Sequence, residues 1–177
     1  TYYLQYDKSV FGEEDVKSIE ALLDKAEAEG YKVAYDLETA FWGAAALFTF
    51  GADYNIVFDN DGLVVKTEAD FDTAKGVKAA KGIYKILSNS AWVSTENADT
   101  IAVIGGTWDI AKYKEKWGAD YACAVMPTVT VDGETKNLGA FVGCKLLGVN
   151  PQRSANDQDR LLAAHKLAQY LSGAEAQ

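Results

Sequence analysis

Tyr2-Tyr3-Leu4-Gln5-Tyr6, then Val16, Ile19, Leu22, Leu23 and Ala26 at helical spacing as far as Gly30, then Tyr31-Lys32-Val33-Ala34-Tyr35 read as strand, helix, strand. Aromatic and branched residues favour extended backbone at both ends. Between them the apolar positions recur three and four apart, and a glycine closes the run. A strand, a crossover helix and a strand predict an α/β chain whose sheet is mostly parallel and flanked by helices.

Working outward, Ala40 to Phe50 is apolar and aromatic and predicts a buried helix, with Thr39 placed to cap its first turn. Ile56, Val57 and Phe58, then Asp59-Asn60-Asp61-Gly62, then Leu63, Val64 and Val65 predict a small β-hairpin on the surface. From Asp72 to Leu87 a helix is expected with Val77, Ala80, Tyr84 and Leu87 on its apolar face and Lys75, Lys78, Lys81 and Lys85 on a solvated one. Residues 88–100 show no period and read as loop. Ile101-Ala102-Val103-Ile104 is a strand ending in Gly105-Gly106, and Thr107-Trp108-Asp109 opens a short polar helix to Trp117. Tyr121 to Met126 is a further strand, Asp132-Gly133 a turn, and Phe141 to Val149 a strand. Ser154 with Asp157 resembles a capping box before a last helix holding Leu161, Leu162, His165, Ala168 and Leu171. No repeat or linker interrupts this order, so 1–177 reads as one domain.

The chain has 177 residues, 49% of them apolar, enough for a core of its own. Its formal charge of -9 is spread along the chain without a Lys/Arg block, which argues against nucleic acid and anionic membrane as partners. Cys123 and Cys144 lie in separate apolar stretches without metal-ligand spacing, so no metal is expected and two buried free thiols are, unless the two strands adjoin and the thiols pair. No apolar run reaches the roughly 20 residues that cross a bilayer. The opening at Thr1 lacks a charged leader, as expected of a cytosolic protein or an excised piece.

Ligands of open α/β sheets lie beyond the carboxyl ends of the strands. Two junctions there are equipped for one. Asp36-Leu37-Glu38-Thr39-Ala40-Phe41-Trp42 brings two carboxylates and two aromatics to a helix start. Gly105-Gly106-Thr107-Trp108-Asp109 lets backbone come close to a ligand beside a tryptophan. Flat aromatic surfaces suit the apolar faces of sugar rings, and carboxylates suit their hydroxyls. Phe41 and Trp42, adjacent on a helix, point about 100 degrees apart, so one of them is expected to pack. Asp36 and Glu38 also admit a reading as a glycosidase acid and base pair. Nothing else suggests a reacting centre, His165 is far from both junctions in sequence, and Gly105-Gly106 lacks a phosphate-loop or dinucleotide fingerprint. No cofactor is expected.

Several pieces resemble, in order, the carboxy-terminal lobe of the maltose and maltodextrin binders among bacterial extracellular solute-binding proteins. Tyr6-Asp7-Lys8 with Gly12-Glu13-Glu14-Asp15, Gly105-Gly106-Thr107-Trp108, Tyr121 to Pro127-Thr128, and Phe141-Val142-Gly143 to Gly148-Val149-Asn150 carry the likeness. The resemblance implies a single lobe of the type II periplasmic-binding-protein fold over 1–177. It also implies a non-enzymatic role in sugar uptake through an ABC importer, outside the cell or in the periplasm, by an exported protein for which a lipid anchor is one alternative. By the same resemblance Trp108 is similar to the family's stacking tryptophan, and Phe41 or Trp42 to an aromatic of its helix start. Thr39 stands where the family has an acidic hydroxyl acceptor, a task that Glu38 or Asp36 would take over. The short 88–100 region departs from the family pattern and holds Trp92, a further candidate for sugar contact. Implied partners are an oligosaccharide, the membrane subunits of the transporter and an amino-terminal lobe outside this sequence. Alternatives are another small solute on the same architecture, a glycoside-processing fragment, or a protein-interaction domain with Trp108 packed inside.

Overall fold

The structure, a computed structural model, describes residues 2–143, 146–154 and 157–176. Among the described residues the strands are β1 (Tyr2–Asp7), β2 (Lys32–Ala34), β3 (Tyr54–Phe58), β4 (Val64–Ala69), β5 (Trp92–Val93), β6 (Thr100–Gly106), β7 (Tyr121–Ala124), β8 (Thr128–Val131) and β9 (Glu134–Asn137). The helices are α1 (Ile19–Glu29), α2 (Ala40–Leu47), α3 (Ala74–Leu87), α4 (Ile110–Trp117) and α5 (Gln158–Ser172). They fall into two compact units, Thr1–Val142 and Gly143–Gln177.

In the first unit a five-stranded sheet has the order β5-β2-β6-β1-β7. β2 pairs parallel with β5 and β6, while β1 pairs antiparallel with β6 and β7. Four strands therefore share one direction and β1 runs against them, an α/β sheet that is mostly parallel. The opening strand, helix and strand are present, but β1 and β2 are neither adjacent nor parallel, because β6 lies between them. Periodicity marks a strand without giving its direction, which is set by the later strands it meets.

Alternation along the strands builds two layers. Tyr2, Leu4 and Tyr6 share the main core with Ala102 and Ile104, against Ile19, Leu22, Leu23 and Ala26 of α1. On the other layer Ala34 and Val103 meet Tyr113 and Trp117 of α4. α1 starts at Ser18, whose hydroxyl accepts the Ala21 N–H at 3.1 Å, and ends at Gly30 in the left-handed region.

α3 is turned the other way from its expected face. Gly76, Ala79, Gly82 and Ile86 are buried, whereas Val77, Tyr84 and Leu87 are exposed. Small residues let the helix lie close to the β8–β9 hairpin, and its lysines fix that side inward. Lys78 pairs with Glu134, Lys81 with Asp132 at 2.8 Å, and Lys85 with Glu20 at 2.9 Å and the Thr130 carbonyl at 2.8 Å. These lysines are thus latches and not merely a solvated face. The hairpin turns at Asp132 and Gly133, both at positive φ. The β3–β4 hairpin is exposed along nearly its whole length, as expected of a surface ribbon.

Other expectations change. α2 is only partly buried, with Ala45 and Ala46 inward and Phe41 outward. No strand forms among the described residues from Phe141 to Val149, where Val142, Leu146 and Leu147 are exposed. Strand-forming composition is not enough where no partner strand adjoins. Cys123 is exposed, and Cys144, with any pairing of the two, lies outside the described residues. In the second unit α5 is capped by Asp157, which accepts the Arg160 N–H at 2.9 Å, and Pro151–Ser154 form a turn before it. His165 is exposed on α5.

Candidate functional site

β2, β5 and β6 run parallel, so their carboxyl ends open on one side of the sheet. There a cleft of about 220 Å³ is bounded by Asp36 after β2, Ser94 and Glu96 after β5, Asp109 after β6, Trp42 of α2 and Tyr113 of α4. Both junctions singled out in the sequence thus reach one place, joined by the segment after β5.

An aromatic cluster borders this cleft. Trp42 and Trp108 have ring centroids 6.1 Å apart and planes inclined by 46°. Trp42 is half-buried against the core, while Phe41 and Trp108 are 52% and 59% exposed. Trp108 stands on the turn Thr107–Asp109 that follows β6, and its indole lies over the backbone of Gly106. Beneath the others sits Tyr2, buried, with its ring 4.2 Å from Trp42 and 5.3 Å from Phe41. Its hydroxyl donates to the Phe41 carbonyl at 2.6 Å, tying β1 to the first turn of α2. Burial raises the pKa of that phenol, so it stays a neutral donor. Phe141 completes the group, 6.3 Å from Phe41.

The polar side of the cleft is made of acceptors. Asp36 takes the Thr39 N–H and the Ser94 hydroxyl on Oδ1 at 3.3 and 3.2 Å, and the Thr39 hydroxyl on Oδ2 at 3.1 Å. Thr39 is therefore held by Asp36 and does not cap α2 with its own side chain. With about four lone-pair sites, a carboxylate so engaged still has acceptor capacity. Glu96 accepts from Lys112 at 2.5 Å and from the Tyr113 hydroxyl at 2.6 Å on Oε1. Burial pushes its carboxyl up, but these bonds and the charges of Lys112 and Lys116 outweigh it and hold the pKa below the usual carboxylate range. Burial and the bond to Glu96 push the Tyr113 hydroxyl up in turn. Tyr113 stacks on Trp117, 5.1 Å away, which fixes the back wall.

Of the residues expected here, Asp36 and Trp42 line the cleft, and Phe41, Trp108 and Thr39 border it. Glu38 is exposed and outside the lining. Trp92 is half-buried with its indole N–H donated to the Tyr35 carbonyl at 2.9 Å, also outside the lining. Ser94 and Glu96 escaped the sequence reading because their segment has no period. The signal available was Trp92-Val93, whose recognition as a strand places the residues after it at the cleft mouth.

A family profile described as bacterial extracellular solute-binding protein matches residues 1–177. A solved structure described as holding acarbose is 27% identical with a TM-score of 0.72, over 99% of this chain and 45% of its own. A ligand-free maltodextrin-binding protein from L. casei BL23 is 22% identical with a TM-score of 0.67, over 99% of this chain and 46% of its own. An extracellular solute-binding protein from Staphylococcus aureus in complex with maltose is 16% identical with a TM-score of 0.56, over 99% and 48%. Among curated proteins none matches the sequence significantly. The chain thus spans less than half the length of these solved structures, and its fold is periplasmic-binding-protein-like. An α/β sheet of this topology with its cleft at the strand ends, matched from end to end by the family profile, makes the chain a member of the bacterial extracellular solute-binding protein family.

Proposed function

We propose that this chain supplies one half of a binding cleft for a neutral oligosaccharide of the maltodextrin type. The observation that carries the reading is the inclined pair Trp42 and Trp108 beside the acceptors Asp36 and Asp109. Apolar faces of pyranose rings stack on indoles, and the hydroxyls at their edges donate to carboxylates. Two platforms inclined by 46° suit a chain that turns from ring to ring, as α-linked glucans do, better than a flat ribbon. Acarbose and maltose in the neighbouring structures support the same ligand class. Trp108, being 59% exposed, is available to a ligand and not packed away as a purely structural residue would be.

In this reading the protein binds and releases sugar without cleaving it. It works outside the cell, delivering its ligand to the membrane subunits of an ABC transporter. A second lobe, beyond this chain, supplies the remaining contacts, and closure of the two around the ligand is the hinge motion of such proteins. One lobe alone makes only part of the bonds, so the isolated chain binds weakly.

The test is a titration of the 15N-labelled chain with maltotriose, cellotriose and glucose, read by amide chemical shifts, which register millimolar affinities. Saturable shifts around residues 36–42 and 105–109 with maltotriose, reduced for cellotriose and lost in Trp108→Ala, are expected. Equal shifts with cellotriose would remove the α-linked preference, and unaltered binding in Trp108→Ala would remove the site.

A further inference from the structure

We propose that Gly106 is the positioning residue that sets the pose of Trp108, and through it the shape of the aromatic platform; this rests on the saccharide reading above. A Cβ on Gly106 would lie 2.2 Å from Cε2, 2.2 Å from Cζ2 and 2.4 Å from Cη2 of the Trp108 indole. Carbon atoms in contact sit at about 3.5 to 4.0 Å, so the six-membered part of the ring occupies the space a side chain would need. The backbone itself does not ask for glycine. Gly106 has φ -94 and ψ 160, extended values that any residue adopts. The requirement is room for the indole.

Gly105 provides the contrast inside the same pair. A Cβ there would meet Gln5 Nε2 and Val103 Cγ1 at 3.5 Å, ordinary packing distances. Only the second glycine lies under the tryptophan. Trp108 follows on the next turn and is more than half exposed, so a side chain at 106 would push the indole outward, where solvent offers no resistance. The change would fall on the 6.1 Å spacing and 46° inclination between Trp108 and Trp42. Those two quantities describe how the two rings are set toward a ligand, so Gly106 acts on ligand shape selection without touching ligand.

The experiment compares the 177-residue chain with Gly106→Ala, Trp108→Ala and the double variant Gly106→Ala/Trp108→Ala. In the free chain, nuclear Overhauser contacts from the Trp108 six-membered ring to the Gly106 Hα protons are expected, with those protons shifted upfield by the ring and restored in Trp108→Ala. Their absence would overturn the proposal whether or not sugar binds. In maltotriose titrations Gly106→Ala should weaken binding about tenfold, to the level of Trp108→Ala, because the stacking contact is what is lost. The double variant should be no weaker than Trp108→Ala. Parent-like binding by Gly106→Ala where Trp108→Ala is impaired would overturn the proposal, as would additive losses in the double variant. A chain that binds no saccharide, or a neutral Trp108→Ala, would count against the saccharide reading and leave the pose to the Overhauser result. Should Gly106→Ala fail to fold, recovery of the fold in the double variant would support the steric cause, and continued failure would refute it.

Discussion

Removing the Tyr2 hydroxyl and removing its whole side chain should have very different costs, because the residue acts in two separable ways. Its hydroxyl makes one hydrogen bond, to the Phe41 carbonyl at 2.6 Å. Its ring is 3% exposed and lies against Trp42, Phe41 and Phe141 at centroid distances of 4.2, 5.3 and 6.5 Å. A hydrogen bond of this kind contributes about 1 kcal/mol net, so Tyr2→Phe should lose about that much. Tyr2→Ala leaves a cavity beneath the platform and should lose about 3 to 5 kcal/mol. Urea unfolding followed by tryptophan emission is the assay, since all four tryptophans, Trp42, Trp92, Trp108 and Trp117, lie in the first unit. Maltotriose binding should survive Tyr2→Phe and fall in Tyr2→Ala, where Phe41 and Trp42 lose their floor. Equal losses of stability in the two variants, or a Tyr2→Ala cost below about 1 kcal/mol, would refute the reasoning.

The orientation of α3 predicts that Ile86→Ala, at a fully buried site, costs about 2 to 5 kcal/mol, whereas Tyr84→Ala, 72% exposed, changes stability by about 0.5 kcal/mol or less in the same urea assay. For pH, Glu20 is pushed up by burial but held lower overall by Lys85 and the Thr130 N–H, and Glu96 is likewise held low by Lys112 and Tyr113. A carboxyl depressed in the folded state adds stability above its unfolded pKa, and that stability is lost as pH falls through the folded value. The urea midpoint should therefore drop as pH is lowered through and below the ordinary carboxylate range. Lys85→Met should be less stable at pH 7 with a shallower acid slope, and an unchanged slope would contradict the role given to Glu20. Cys123, exposed on β7, should be alkylated by a maleimide in the native chain, located by peptide mass spectrometry, and protection without denaturant would contradict its exposure.

The legibility of this sequence followed how local each signal was. α1 declared itself because Ile19, Leu22, Leu23 and Ala26 all point one way and Ser18 and Gly30 bracket them. α3 misled because its large apolar residues lie outside while glycines and alanine face in, and the lysine latches that reverse it depend on acids more than forty residues away in Asp132 and Glu134. Direction in the sheet was equally invisible, since β1 takes its orientation from β6 and β7. At the site, Trp108, Trp42 and Asp36 could be singled out as aromatics and carboxylates at strand ends. Their supports could not. Tyr2 reads as an ordinary strand residue, Glu96 belongs to a segment without period, and Tyr113 looks like one more helix aromatic until the fold brings it under Glu96.

The place of β1 has a kinetic consequence. This strand precedes both of its neighbours in sequence, yet it occupies the interior of the sheet, and its partners run to Gly106 on one side and to Tyr121 through Ala124 on the other. Until a ribosome has delivered both, β1 has no strand to pair with, and closing such a distance in sequence slows the search for the native arrangement. A sheet whose interior strand waits on such distant partners closes late and cooperatively, and not strand by strand along the chain.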